Sequence, residues 1–538
     1  MSSILPRCTF AIISHPDAGK TTVTEKLLWF GGVVRKAGMV KSKSGDFAKS
    51  DWMELEKQRG ISITSSVMSF EYNDRAVHLL DTPGHKDFSE DTYRTLTAVE
   101  SVLMMIDGAK GVEAQTVKLM EVCRLRDTPI ITFMNKFDRD AMDPFELIDN
   151  VESILKIQCV PLTWPVGDGV DFKGVYDMKN KVIRTFQNQY DPFSPHVIDA
   201  SNLDDPKLVQ ELGERATSKL KQDLEMVSEL IGEFHLDEYL AGIQTPVFFG
   251  SALNNFGVKE VLDQITTIAP GPRPRKAIIP PFDAPIPKLA EISPQDPEFS
   301  GFIFKIQANM DKKHRDRVAF LRVCSGKFSR NTNIFHVRTE RELKIPSPLI
   351  FQAQDREIVE DAYAGDIIGL HDTGKFQIGD TFTSGRKLKY TGIPSFAPEI
   401  FMKVVLKDPL KAKHLDKGLT QLSEEGAAQL FYRPSTNEKL LGAVGQLQFE
   451  VVKFRLEDEY NVLCDYQPAP FVGVRWLRFP DEKMEGKFTE AQGGNILLDI
   501  KGRPCFGIKS QWDFKLVLEK FPEVEFFNNS DYQSKHTN

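Results

Sequence analysis

Residues 14–22 read S-H-P-D-A-G-K-T-T, and this stretch decides the fold of the first half of the chain. Thr9, Phe10, Ala11, Ile12 and Ile13 precede it, a short apolar run of the kind that forms a buried parallel strand. The helical pattern V-T-E-K-L-L follows at residues 23–28. A strand, a tight turn and a helix with Gly-Lys-Thr at the turn make a phosphate-binding loop. Backbone N–H groups of such a loop and the positive end of the helix dipole converge on one point, which favours an anion. Lys20 adds a full positive charge for the β- and γ-phosphates, and Thr21 offers a hydroxyl to Mg²⁺. Ser14, His15, Asp17, Ala18, Gly19 and Thr22 complete the expected cradle, with Ser14 where the usual pattern has its first glycine.

Further motifs lie downstream, in order. Residues 31–59 form a long irregular stretch, of a length that is usually functional, and residues 56–64 read E-K-Q-R-G-I-S-I-T at its end. A hydroxyl here can complete the Mg²⁺ shell once a γ-phosphate is present, making the stretch a switch. The alternative is a plain surface loop leading into a strand that ends near Phe70. Residues 76–85, A-V-H-L-L-D-T-P-G-H, have the form of the second metal-holding motif of phosphate-loop enzymes. Asp81 would hold Mg²⁺ through a water, and Gly84 would offer its N–H to the γ-phosphate. His85 stands where a side chain can orient the attacking water.

An apolar strand at 129–134 closes with N-K-F-D: Asn135, Lys136, Phe137 and Asp138. A carboxylate at Asp138 can accept hydrogen bonds from N1–H and the exocyclic amine of guanine, a donor pair that adenine lacks. Leaving such a group unpaired costs about 1–3 kcal/mol, enough to select the base. Ser251, Ala252 and Leu253 end another strand in a turn whose N–H can meet the guanine carbonyl. Strands alternate with helices throughout, which predicts a doubly wound α/β sheet with the nucleotide at the carboxyl ends of its strands. A GTP-binding domain is therefore expected over residues 1–270.

The 538 residues suggest three or four domains, and 41% hydrophobic with 27% charged content is ordinary for a soluble globular protein. No apolar run reaches the length of about 18 that spans a membrane, and the N-terminal residues are too polar for a signal peptide. Six cysteines without a C-x-x-C pair fit reduced thiols in a cytosol. A net charge of −8 excludes a uniformly basic protein but leaves room for a local RNA-binding patch.

An insertion at about 141–245 is expected to hold a strand pair (175–186), a polar loop (188–205) and one amphipathic helix from 207 to about 234. Glu211, Glu214, Asp223, Glu225, Glu229 and Glu233 are expected on its solvated face, a docking surface for a basic partner being the alternative. Dense prolines predict a semi-rigid linker at 271–298. Short, regularly spaced strands predict a β-barrel over 299–392. Its basic loop D-K-K-H-R-D-R (311–317) is either a solvated hairpin tip or a contact with a phosphate backbone. Strand, helix, two strands, helix and strand then predict an α+β domain of ferredoxin-like type over 396–525, with a frayed polar tail at 526–538.

The phosphate loop, R-G-I-S-I-T (59–64), D-T-P-G-H (81–85), N-K-F-D and the Ser251-Ala252 turn together resemble the translational GTPases, the superfamily of elongation factor G. G-F-I-F-K-I-Q-A-N-M (301–310), H-R-D-R (314–317), L-S-E-E-G-A (422–427) and G-A-V-G-Q-L-Q-F (442–449) are similar to the bacterial peptide chain release factor three family. The likeness covers nearly the whole chain and weakens after about Trp476. Roughly 140 residues past Pro394 leave room for one domain, where elongation factor G needs more.

The resemblance implies a ribosome-dependent GTPase of translation termination that uses GTP/GDP and Mg²⁺. It implies that His85, Gly84 and Lys20 serve catalysis, and that Thr21, Ser62 and Asp81 ligate the metal. Ser62 stands where relatives often carry threonine, and Thr64 competes for the role. Pro16 and Ile61 would gate the water. The implied task is to promote dissociation and recycling of the codon-reading (class one) release factors after peptide release. Its partners would be the ribosome and those factors, and the protein would be cytoplasmic and a monomer off the ribosome. No arginine finger is evident in cis, which fits activation by a large partner. The alternatives are another ribosomal GTPase, for translocation or ribosome protection, and a GTP-dependent enzyme unrelated to RNA.

Overall fold

A computed structural model describes residues 5–33, 56, 62–185, 196–282, 287–308, 317–352, 355–393 and 397–528. The chain divides into two compact units: residues 1–85, 98–273 and 349–368, and residues 86–97, 274–348 and 369–538.

The first unit is built on a seven-stranded sheet. Its strands run in the order Ser66–Tyr72, Arg75–Asp81, Arg7–Ser14, Ser101–Asp107, Ile130–Asn135, Gln244–Phe249, Gln158–Pro161. All neighbours are parallel except the edge pair Ser66–Tyr72 and Arg75–Asp81. The central strands are continuous apolar runs because helices pack on them. Leu27 and Leu28 of the helix Lys20–Phe30, with Val261, Leu262 and Ile265 of Val258–Ile268, share a core with Phe10, Ile12, Leu79, Leu103 and Phe133. This is the expected α/β sheet. Its register sets Ile12 beside Asp81, Ser14 beside Met105, Asp107 beside Asn135 and Met134 beside Phe249. The loops that carry the motifs therefore leave one edge of the sheet together.

The insertion differs from expectation in two places. The polar loop contains a strand, His196–Asp199, which completes a four-stranded antiparallel sheet. The single expected helix is two, Pro206–Leu212 and Glu214–Leu230, because Gly213 between them takes φ 83 and breaks the right-handed run. Asp223 turns inward and accepts the Trp164 indole N–H at 3.1 Å, and burial raises its carboxyl. The other five acidic residues of that face are exposed.

In the second unit, Arg275–Ile279 pairs antiparallel with Lys288–Ile292 and with Lys389–Tyr390. The proline-rich stretch is thus not linker alone. No proline falls inside either strand, so the ladder keeps its N–H donors. Ser300–Ala308 and Arg317–Ser325 pair with two register shifts, which curl the ladder, and Thr381–Thr383 and Asn333–His336 extend it. Of the residues expected to form a barrel, these strands make a curled antiparallel β domain, while 349–368 fall in the first unit. Most of the basic loop (311–316) lies outside the described residues.

The remainder is one eight-stranded sheet made of a βαββαβ unit used twice. Ile400–Leu406, Gln429–Arg433, Glu438–Ala443 and Cys464–Pro468 are strands 1–4 of the first copy; Gly473–Arg478, Ile496–Asp499, Pro504–Ile508 and Glu525–Phe527 are those of the second. Across the sheet the order is 4-1-3-2 and then 2-3-1-4, the ferredoxin-like order followed by its mirror. The copies join where Phe431 pairs with Asp499 and Tyr432 with Leu498. Residues 526 and 527 are therefore no tail. Phe526 and Phe527 pair with Leu477 and Trp476, and the Phe526 ring packs on Phe488 and Phe506.

A buried ion cluster braces the first unit. The Asp366 carboxylate accepts from Arg7 Nε (2.9 Å) and Nη2 (3.1 Å), meets His78 Nε2 at 3.0 Å, and accepts the Tyr363 amide at 2.7 Å. Burial alone would raise its pKa, but hydrogen bonds and charge from His78 and Arg7 hold it far below the usual range. A depressed folded pKa stabilises above the unfolded value of about 4, and that contribution is lost as pH falls further. Asp366→Asn is expected to cost about 3 kcal/mol at neutral pH, since it leaves the half-buried Arg7 without its charge partner. Denaturant titrations should show the gap to the unaltered protein narrowing below pH about 4. A gap that stays constant down to pH about 3 would take the carboxylate out of this account.

Candidate functional site

The loop after Arg7–Ser14 feeds the helix Lys20–Phe30 through Asp17 (φ 65) and Gly19 (φ 95), both left-handed. A Cβ on Gly19 would collide with the Asn135 amide, so only glycine lets the two loops approach this closely. Asn135 Nδ2 donates to the Ala18 carbonyl and its Oδ1 accepts the Ala252 N–H, each at 2.9 Å. One buried side chain thereby ties the phosphate loop to the Ser251-Ala252 turn. Lys136 Nζ reaches the Asp17 carbonyl (2.5 Å) and the Asp107 carboxylate (2.7 Å). The first half of N-K-F-D is therefore a brace. Asp138 is half-buried and engages no side-chain partner among the described residues.

Lys20 Nζ meets Asp81 Oδ1 at 2.5 Å, and both side chains are buried. The other Asp81 oxygen is buried without a hydrogen-bond partner among the described residues. Thr82 donates to the Ile12 carbonyl at 2.7 Å, closing the turn that follows Asp81 onto the strand before the loop. Gly84 rests against that loop: a Cβ there would stand 3.4 Å from Pro16 N and 3.5 Å from the Ser14 carbonyl. His85 follows, half-buried. Thr21 and Thr22 are half-buried on the first turn of the helix, Ser251 is buried, and Leu253 is 41% exposed. His15 Nε2 lies 3.3 Å from Glu113 Oε1. In the 56–64 segment, Glu56 accepts the N–H groups of Ile63 (2.9 Å) and Thr64 (3.1 Å). Ser62 is described, whereas Ile61 and most of the stretch before it lie outside the described residues.

Sequence reasoning missed Asp107, Thr82, Glu113 and Glu56. Asp107 had a signal: it ends a buried strand, and the register sets it directly beside Asn135. Burial alone would raise its carboxyl, but the Lys136 hydrogen bond and the Ala109 amide outweigh that and keep it below the usual range. The partners of the others are set by tertiary contact and leave no local pattern.

Set beside known families, residues 6–271 match the elongation factor Tu GTP binding domain. Residues 298–385 match elongation factor G domain 2. Residues 390–518 match the C-terminal domain of class II release factor RF3. Among solved structures, a Thermus thermophilus protein known from its crystal structure superposes with a TM-score of 0.68 at 21% identity. That match covers 86% of this chain and 67% of the other, and it bears on the fold. The protein is a translational GTPase, binding guanine nucleotide and hydrolysing GTP. Its third matched segment sets it within the class II release factor RF3 family, whose place is translation termination.

Proposed function

We propose that this GTPase promotes dissociation and recycling of the codon-reading, class one release factors after peptide release, and that ribosome-stimulated GTP hydrolysis then frees it. The observation that carries the reading is the presence on one chain of a guanine-nucleotide domain and the RF3 C-terminal domain. In this reading residues 1–270 form the nucleotide domain, 299–392 the β domain and 396–525 the α+β domain.

The phosphates lie against residues 14–22, with Lys20 countering their charge and the Gly84 N–H turned to the γ-phosphate. His85 orients the attacking water. Asp138 reads the guanine edge, while Asn135, Ser251, Ala252 and Leu253 shape its surroundings. The residues present fit a divalent cation: Asp81 keeps a buried carboxylate oxygen unengaged beside the first helical turn. Thr21, Asp81 and Ser62 would hold Mg²⁺, which when bound offsets charge on the phosphate oxygens. Ser62 is preferred to Thr64, whose hydroxyl already donates to Glu56 Oε1 at 3.5 Å. Work on ribosomes implies a cytoplasmic protein, a monomer away from the ribosome. Among the described residues no helix is long and apolar enough to cross a membrane.

The test is peptide release by a limiting amount of class one factor on programmed ribosomes. Addition of this protein with GTP should raise the number of release rounds per factor. An unchanged turnover, with GTP hydrolysis intact, would refute the recycling role.

A further inference from the structure

Two glycine-bearing turns, in L-S-E-E-G-A (422–427) and G-A-V-G-Q-L-Q-F (442–449), lie outside the nucleotide motifs. Both face the short segment that follows His85. Its 3₁₀ turn Lys86–Phe88 and helix Ser89–Leu96 present Asp87, Glu90 and Arg94 at spacings of three and four, along one face. Asp87 Oδ2 accepts the N–H of Leu447 at 2.8 Å, at the start of the 15-residue helix Gln446–Tyr460. Gln429 Nε2 donates to Glu90 Oε1 at 3.1 Å, and Arg94 Nη2 donates to the Gly426 carbonyl at 3.2 Å.

Both turns favour glycine here. A Cβ on Gly445 would fall on the Asp87 carboxylate, and one on Gly426 would fall on the Arg94 guanidinium. Gly426 also takes φ 80. Gln448 locks the two turns to each other: its Oε1 accepts from Val444 N (2.8 Å) and Gly445 N (3.2 Å), and its Nε2 donates to the Ala427 carbonyl (3.0 Å). The helix Gln446–Tyr460 thus receives a carboxylate from outside its own segment at the end where its dipole and unpaired N–H groups favour negative charge.

We propose that these turns are a socket for the segment after His85, and that Asp87 is a positioning residue for GTP hydrolysis. By fixing the chain two residues beyond His85, the socket sets where that imidazole stands when a ribosome triggers the reaction. The proposal rests on the reading of His85 given above. It also makes the α+β domain a control on the rate, since its fold shapes the socket.

The experiment uses the full chain, with single-turnover GTP hydrolysis in the presence and absence of ribosomes, GDP affinity, and amide hydrogen exchange. Asp87→Ala is expected to lower the ribosome-stimulated rate about 10–10²-fold, the scale of a displaced catalytic group, with GDP affinity within about twofold. The Leu447 amide should exchange at least about tenfold faster. Asp87→Asn, which keeps an accepting oxygen, should retain most of the rate. Gly445→Ala should reproduce the loss, yet add little in the Asp87→Ala background, because the carboxylate it would strike is gone. A merely structural contact would shift melting and spare the rate. Full stimulation of Asp87→Ala, or additive losses in the double variant, would overturn the proposal. If ribosomes fail to stimulate the unaltered protein, the functional reading falls instead, and exchange at Leu447 still judges the socket.

Discussion

Replacing Asp138 by asparagine is expected to weaken guanine nucleotides by about 10²–10⁴-fold, since each of two hydrogen bonds to a charged acceptor contributes roughly 1.5–3 kcal/mol. The same change should improve xanthosine nucleotides, because the amide can donate to the second ring carbonyl while its oxygen still accepts from N1–H. The scaffold should tolerate the substitution. Phe137, next in the chain, is fully buried, packs edge-on against Phe249 at 5.3 Å, and donates its N–H to the Gly250 carbonyl at 3.1 Å. Asp138 itself is half-buried, with no side-chain partner to lose among the described residues. Competition between GDP and XDP for the purified protein reads the effect directly. Unchanged GDP affinity would mean that the base is read elsewhere.

His85→Ala gives the second large effect. GTP binding should stay near normal, since in the proposed reading the phosphates lie against residues 14–22 and Asp81 serves the metal, while ribosome-stimulated hydrolysis should fall by about 10² or more. The imidazole leaves the tight Thr-Pro-Gly turn, which Thr82 anchors by donating to the Ile12 carbonyl at 2.7 Å, on the strand that leads into the loop. The discriminating measurement is single-turnover hydrolysis at saturating ribosomes. A variant as fast as the unaltered protein would exclude His85 from water positioning.

The nucleotide domain was legible because its chemistry sits where strands end. Apolar runs finishing in Ser14, Asp81 and Asn135 fix both the fold class and the sheet edge. Side chains that join loops were less legible. N-K-F-D signals base selection, yet nothing local says that Asn135 also spans from Ala18 to Ala252. The proline-rich stretch hides its strands because its proline density is high over the whole segment, whereas each strand needs only five proline-free residues. The second βαββαβ copy was hidden by short strands of three to six residues and an aromatic pair near the chain end, which resemble a tail until its partner Gly473–Arg478 is in place.

The doubled sheet has a consequence for how the protein is made. Strand Gln429–Arg433 is covered on its outer side by Ile496–Asp499, which a ribosome completes 66 residues after Arg433. At roughly 5–20 residues per second, the nascent first copy would carry a bare hydrogen-bonding rim for about 3–13 s. Gln429 and Arg433 at the ends of that rim are suited to discourage intermolecular pairing during the wait. A messenger truncated shortly after codon 468 should therefore yield a product that clumps, although its four strands and two helices are all present.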